Sequence, residues 1–214
     1  MSKGSWREER KSVISKIAKV LVKSGALRFG TFALTSGKLS SYYVDLRIVP
    51  SIPGVFREVV HAYISLIKKS IPLNEIDAIG GIPTAGLTYA ATVSYELAKP
   101  LLYVRKEERK HGTGKDVEGL LSPGAQVVII DDVITTGGSI ISAVNVIRNN
   151  GGIVKKAVVL IDRLEGGKEN LAKIGVALVP LASIVEVTDF LYDMNIIEYS
   201  NRNAIYAQAG LSKS

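Results

Sequence analysis

The chain has no cysteine, and only two histidines, His61 and His111, among its 214 residues. Disulfides, iron–sulfur clusters, cysteine-held zinc and thiol catalysis are thereby excluded, and so is an all-histidine catalytic zinc centre. Long apolar runs are also missing. A stretch such as Ala157 to Ile161 falls far short of the about 18 residues that a membrane span needs. The segment from Met1 to Lys11 is charged and leads into no apolar h-region, so no targeting signal is expected. These absences predict a cytoplasmic protein with no membrane partner.

What is present is ordinary for a folded chain. Hydrophobic residues make up 47% and charged residues 22%, which argues against global disorder. The length suits one domain with a sizeable core, but hardly two. The net charge of +7 favours anionic partners, phosphates or nucleic acid, without choosing between them.

An amphipathic helix is predicted over residues 5–24, with Val13, Ile14, Ile17, Val20 and Leu21 at helical spacing and Gly25 placed to end it. Residues 27–49, rich in Tyr, Phe, Thr and Ser, read as two or three short strands around the turn Ser36-Gly37-Lys38. Beyond Pro50 and Pro53 the pattern alternates. Helices are predicted at about 54–70, 85–98 and 138–149, and strands at 76–79, 101–104, 126–130, 153–161 and 176–181. Two short helices follow at about 183–192 and 201–208. Continuous apolar strands alternating with helices predict an α/β fold, a central parallel sheet flanked by helices on both faces. A small N-terminal addition at about 5–50 would precede a core at about 54–214, all in one domain.

The stretch from Val127 to Ser139 carries the most information. Val127, Val128, Ile129 and Ile130 make a buried strand; Asp131 and Asp132 follow, then Val133, Ile134, Thr135, Thr136, Gly137, Gly138 and Ser139 lead into a helix. In open α/β sheets, ligands bind at the carboxyl ends of strands. A helix N-terminus there offers unpaired N–H groups to an anion. Gly137 and Gly138 allow close backbone approach, while Thr135, Thr136 and Ser139 add hydroxyl donors, a set that suits a phosphate monoester. Paired carboxylates repel phosphate but accept hydrogen bonds from vicinal ribose hydroxyls. A ribose bearing a 5-phosphate satisfies both halves. Alone, either half reads equally well as a solvated turn or a capped helix start.

A second stretch, 105–115, carries five Lys or Arg against two Glu: Arg105, Lys106, Arg109, Lys110 and Lys115, with His111 and two glycines. A lid needs this pairing of glycine freedom and positive charge. As a lone loop it reads better as a solvated charged loop. It contains no aromatic residue to stack on bases, so no nucleic-acid partner is expected.

The Val127–Ser139 string resembles the phosphoribosyl pyrophosphate signature of the type I phosphoribosyltransferases, whose fold is a Rossmann-like parallel sheet. The lid stretch with Val117-Glu118-Gly119, the run Phe29 to Gly37 and the run Tyr42 to Arg47 are similar to the orotate phosphoribosyltransferase family, the two runs matching its N-terminal hood. The resemblance covers residues 29–163 and implies specific roles. Asp131 and Asp132 would engage the ribose hydroxyls, Thr135 to Ser139 the 5-phosphate, and Arg105, Lys106, Arg109 and His111 the pyrophosphate, with Val133 and Ile134 also binding phosphoribosyl pyrophosphate. Catalysis would rest on Lys106, Arg109, His111, Asp131 and Asp132. Arg163 would bind the orotate carboxylate, Thr135 the ring or the phosphate loop, and Tyr43 would lie over the ring. Mg²⁺ would act between substrate oxygens without a tight protein site. A homodimer sharing the 105–115 lid is also implied. The chain departs from the family pattern at Ala85 and Thr35, where many members carry lysine; Lys38 lies near the second. His61 is read as structural. Two alternatives remain: another nucleobase phosphoribosyltransferase, or a regulator that only senses phosphoribosyl pyrophosphate.

Overall fold

The computed structural model describes residues 3–33, 39–105 and 116–211. After α1 (Lys3–Lys23), the strands β1 (Leu27–Ala33) and β2 (Leu39–Val44) form a separate antiparallel pair, with Leu27 opposite Val44. A 3-10 turn, Leu46–Ser51, leads into α2 (Pro53–Ser70), β3 (Ala78–Gly81), α3 (Ala85–Leu97) and β4 (Leu101–Val104). There follow β5 (Val117–Glu118), β6 (Gln126–Ile134), α4 (Gly138–Asn149), β7 (Ile153–Asp162), α5 (Gly167–Lys173) and β8 (Ala177–Ser183). The last two helices are α6 (Ile184–Asp193) and α7 (Tyr199–Gln208).

The main sheet has the order β5-β4-β3-β6-β7-β8 and is parallel except at the short edge strand β5. Alternation along β6 explains its unbroken apolar run. Val128 and Ile130 enter the core beneath α1, α2, α3 and α6, while Val127 and Ile129 enter the core beneath α4 and α5. A strand buried on both faces has no solvated side on which to place polar residues. Each such side chain contributes about 1.5–3 kcal/mol through burial.

The expected α/β fold, with a parallel sheet flanked by helices, is what the chain adopts. Boundaries differ in instructive ways. β6 runs on to Ile134, so Asp131 and Asp132 lie within the strand rather than after it. The predicted strand over 76–79 begins two residues later, because Ile76 closes a 3-10 turn, Leu73–Glu75. α5 was not foreseen, and residues 27–49 form two strands, the turn at 36–38 lying outside the described residues.

The hood pair β1–β2 is fastened from the far end of the chain. Gln208, the last residue of α7, accepts through Oε1 from Ser41 N at 3.1 Å and from Ser40 Oγ at 3.1 Å. Arg10 of α1 forms a two-pronged bond to Glu186, which also caps the start of α6 through Ser183. No described helix is long and apolar enough to cross a membrane.

Candidate active site

β3, β6 and β7 end side by side, Gly81 opposite Ile130 and Ile134 opposite Asp162. Chain order reverses between β3 and β6, so their carboxyl ends open a crevice where α/β proteins bind ligands. The carboxylate pair stands there. Asp131 is 8% exposed and Asp132 half-buried. Burial pushes the Asp131 carboxyl well above the usual carboxylate range, and the charge of Asp132 adds to the rise. Burial raises Asp132 as well. Among the described residues, one bond steadies the Asp131 side chain: its Oδ1 accepts from Asp132 N at 3.0 Å. A buried carboxylate pair so thinly served is costly unless a ligand brings donors or a cation.

The backbone is set from below and from the side. Tyr63 of α2 donates its hydroxyl to Asp131 O at 2.7 Å. Gly86, second residue of α3, lies so close that a Cβ there would sit 2.4 Å from Asp131 Oδ1 and 3.0 Å from Asp131 Cα. Any side chain at 86 would evict the carboxylate.

After Ile134 the chain turns through Thr135 and Thr136 to Gly137, whose φ of 83° lies in the left-handed region that favours glycine. Gly137 caps α4 without any side-chain hydrogen bond, leaving first-turn N–H groups open. These face a hollow of about 40 Å³ lined by Asp131, Thr135, Gly137, Gly138 and Ser139. Asn170 of α5 holds the outer wall, donating to Thr136 O at 3.1 Å. Ser139 also borders a larger cavity of about 240 Å³, reached by Ile82, Pro83 and Arg105. Positive dipole, exposed hydroxyls and open amides make the hollow an anion seat beside two carboxylates.

The structure gives Arg163 a different setting from a simple exposed fork. It is 6% exposed beneath the hood, with Nε donating to Tyr42 Oη at 2.9 Å, Nη2 to Ser40 Oγ at 3.3 Å, and an ion pair to Glu165 at 2.9 Å. The guanidinium also lies 4.6 Å from the centre of the Tyr42 ring, and burial raises that phenol to about 12. Among the described residues Nη1 has no partner. Tyr43 stacks on Phe32 at 5.5 Å and accepts from Arg47 at 3.0 Å. Arg105 is paired with Glu118. His61 points to solvent on α2. Lys106, Arg109 and His111 lie outside the described residues, as do Thr35 and Lys38. Sequence reasoning overlooked Tyr63, Gly86 and Asn170. Gly86 directly follows the singled-out Ala85, but its contact with Asp131 appears only once α3 is laid on β6.

The family described as "Phosphoribosyl transferase domain" matches residues 51–193. The chain is 43% identical over 177 residues to an orotate phosphoribosyltransferase from Cenarchaeum symbiosum, covering 83% of this chain and 88% of that protein. The crystal structure of orotate phosphoribosyltransferase from Aeropyrum pernix superimposes with a TM-score of 0.71 at 37% identity, over 84% of this chain and 99% of that one. The structure of Leishmania donovani UMP synthase gives a TM-score of 0.82 at 33% identity, over 92% of this chain but only 42% of that larger one. By these likenesses, and by the carboxylate pair beside an open helix start at the sheet's carboxyl edge, the chain belongs to the phosphoribosyltransferases and, among them, to the orotate phosphoribosyltransferase family.

Proposed function

We propose that the chain transfers the phosphoribosyl group of 5-phosphoribosyl 1-pyrophosphate to orotate, giving orotidine 5′-monophosphate and pyrophosphate. The bond from C1 of the ribose to the pyrophosphate oxygen breaks, and a bond from N1 of orotate to C1 forms as N1 loses its proton. The observation that carries this reading is the juxtaposition of Asp131 and Asp132 with the uncapped start of α4. Carboxylates accept from the ribose hydroxyls. The N–H groups and hydroxyls of Thr135 to Ser139 hold the 5-phosphate, with the backbone of Val133 and Ile134 forming the floor. Arg163 offers Nη1 to the orotate carboxylate, its plane held by Tyr42 and Glu165, while Thr135 and Tyr43 flank the ring. A fork so anchored loses little freedom when it binds.

C1 gains positive character as pyrophosphate departs, so the protein must stabilise the leaving charge and hold N1 near C1. Arg105, Lys106, Arg109 and His111 supply that charge from the 105–115 stretch, reaching the site of a partner subunit in a homodimer. The exposed side chains of Tyr95 and Leu120 are apolar surface such a partner would cover. The donor set fits Mg²⁺: the hard carboxylate oxygens of Asp131 and Asp132 stand at the site. When bound, Mg²⁺ would neutralise charge on the pyrophosphate. A cytoplasmic reaction belongs to the same proposal.

With phosphoribosyl pyrophosphate and Mg²⁺, the purified protein is expected to consume orotate and to leave uracil, adenine and hypoxanthine unchanged. Faster turnover of a free nucleobase than of orotate would overturn the reading. Losing one charged contact to a phosphate costs about 1.5–3 kcal/mol. Lys106→Ala or Arg109→Ala should therefore lower kcat about 10- to 100-fold with an unchanged melting temperature. Full turnover in both variants would remove the lid from the reaction.

A further inference from the structure

Tyr63 and Tyr89 are fully buried and pack ring on ring, 5.6 Å between centres. Each gives its hydroxyl to a carbonyl in a different part of the molecule. Tyr63 donates to Asp131 O, and Tyr89 donates to Leu46 O at 2.6 Å. A buried hydroxyl without a partner is costly, so both bonds act as fixed points. Together they tie the 3-10 turn Leu46–Ser51 to the strand bearing the carboxylate pair. Tyr89 also lies one turn into α3, so the turn is set against the helix start that follows the Ile82–Thr84 loop.

Arg47 is the second residue of that 3-10 turn, and its side chain is 59% exposed. Its guanidinium is nevertheless aimed. Nε reaches Asp45 Oδ1 at 2.6 Å, while Nη2 reaches Asp45 Oδ2 at 2.9 Å and Tyr43 Oη at 3.0 Å. Burial raises the Asp132 carboxyl, and the charge of Arg47 is among the influences drawing it back. Yet no ion pair among the described residues joins Arg47 to Asp131 or Asp132. The guanidinium is thus bound to neither carboxylate, on a turn that the two tyrosines tie to the strand bearing them. The Ile82–Ala85 stretch has no charged side chain, Arg105 is paired with Glu118, and Arg163 is buried beneath the hood.

We infer that Arg47 binds the pyrophosphate group of 5-phosphoribosyl 1-pyrophosphate, held in aim by Asp45 and Tyr43 on a turn that the Tyr63–Tyr89 pair ties to the carboxylate-bearing strand. The inference rests on the activity proposed above. Pyrophosphate is the most highly charged part of the substrates, and a planar guanidinium matches its oxygens two at a time. Aiming the side chain in the empty protein reduces the ordering cost of binding.

Steady-state kinetics and a direct titration with pyrophosphate, on the parent, Arg47→Ala and Arg47→Lys, test it. For Arg47→Ala the KM for phosphoribosyl pyrophosphate and the Kd for pyrophosphate are expected to rise about tenfold or more, with the KM for orotate unchanged. Arg47→Lys should recover part of the loss, since it keeps the charge but not the fork. Equal pyrophosphate affinity in Arg47→Ala and parent overturns the inference. A loss confined to orotate does so as well, by moving Arg47 to base recognition. Either of those results leaves the proposed activity standing. A parent protein that turns over no orotate would instead overturn the activity, and the role of Arg47 with it.

Discussion

Exchanging both carboxylates for amides, Asp131→Asn with Asp132→Asn, is expected to raise heat stability while weakening phosphoribosyl pyrophosphate binding roughly a thousandfold. The two effects share one cause. In the empty protein the pair is buried with few donors, and both acids are held above their ordinary range by that burial. An acid with a raised native pKa binds protons more readily folded than unfolded. Its folded state therefore loses stability as pH rises from the ordinary carboxylate range, about 4, through the raised native value. Below that window, folded and unfolded chains are both protonated, and parent and variant should melt alike. Above it the variant, with no charge to desolvate, should melt higher. Each kcal/mol relieved corresponds to about 2–4 °C in a chain of this size. Ribose hydroxyls and a bound cation favour the ionised pair, so ligand affinity should climb across the window in which bare stability declines. Melting curves against pH, with and without ligand, check both slopes. Unchanged affinity in the variant would refute the ribose assignment.

Gly86→Ala is expected to run against the usual sign. Within a helix, alanine is ordinarily better than glycine by about 1 kcal/mol. Here the added methyl would meet Asp131 Oδ1 at 2.4 Å and the main chain of β6 at 3.0 Å. Backbone cannot yield as a flexible side chain does, and overpacking of this kind costs about 1–3 kcal/mol. The variant should melt lower than the parent and bind phosphoribosyl pyrophosphate poorly, because the carboxylate is displaced. A higher melting temperature would mean that α3 does not approach β6 so closely.

The fold was legible where burial leaves a one-dimensional trace. β6 and β7 are covered on both faces, so their apolar runs stand out, and α2 shows its stripe through Val59, Val60, Tyr63 and Ile67. α5 left little trace because it is seven residues long and buries just Gly167 and Leu171. The carboxylate pair and the glycine-bearing helix start are contiguous in the chain, and so were readable together. The setting of Arg163 was not, since Ser40 and Tyr42 lie 123 and 121 residues away. The same holds for the two tyrosines that join Asp131 to the hood. Side chains that act across elements have no spacing by which to announce themselves.

Because Gln208 clasps Ser41 from 167 positions further along the chain, an order of assembly follows during synthesis. A nascent chain carries Asp131 through Ser139 well before α7 emerges from the ribosome, so the sugar-phosphate half is complete early. The hood, fastened by Gln208, must wait for the closing helix. Ribosome-stalled intermediates ending just short of Gln208 should therefore capture the phosphosugar while their base pocket stays unlatched.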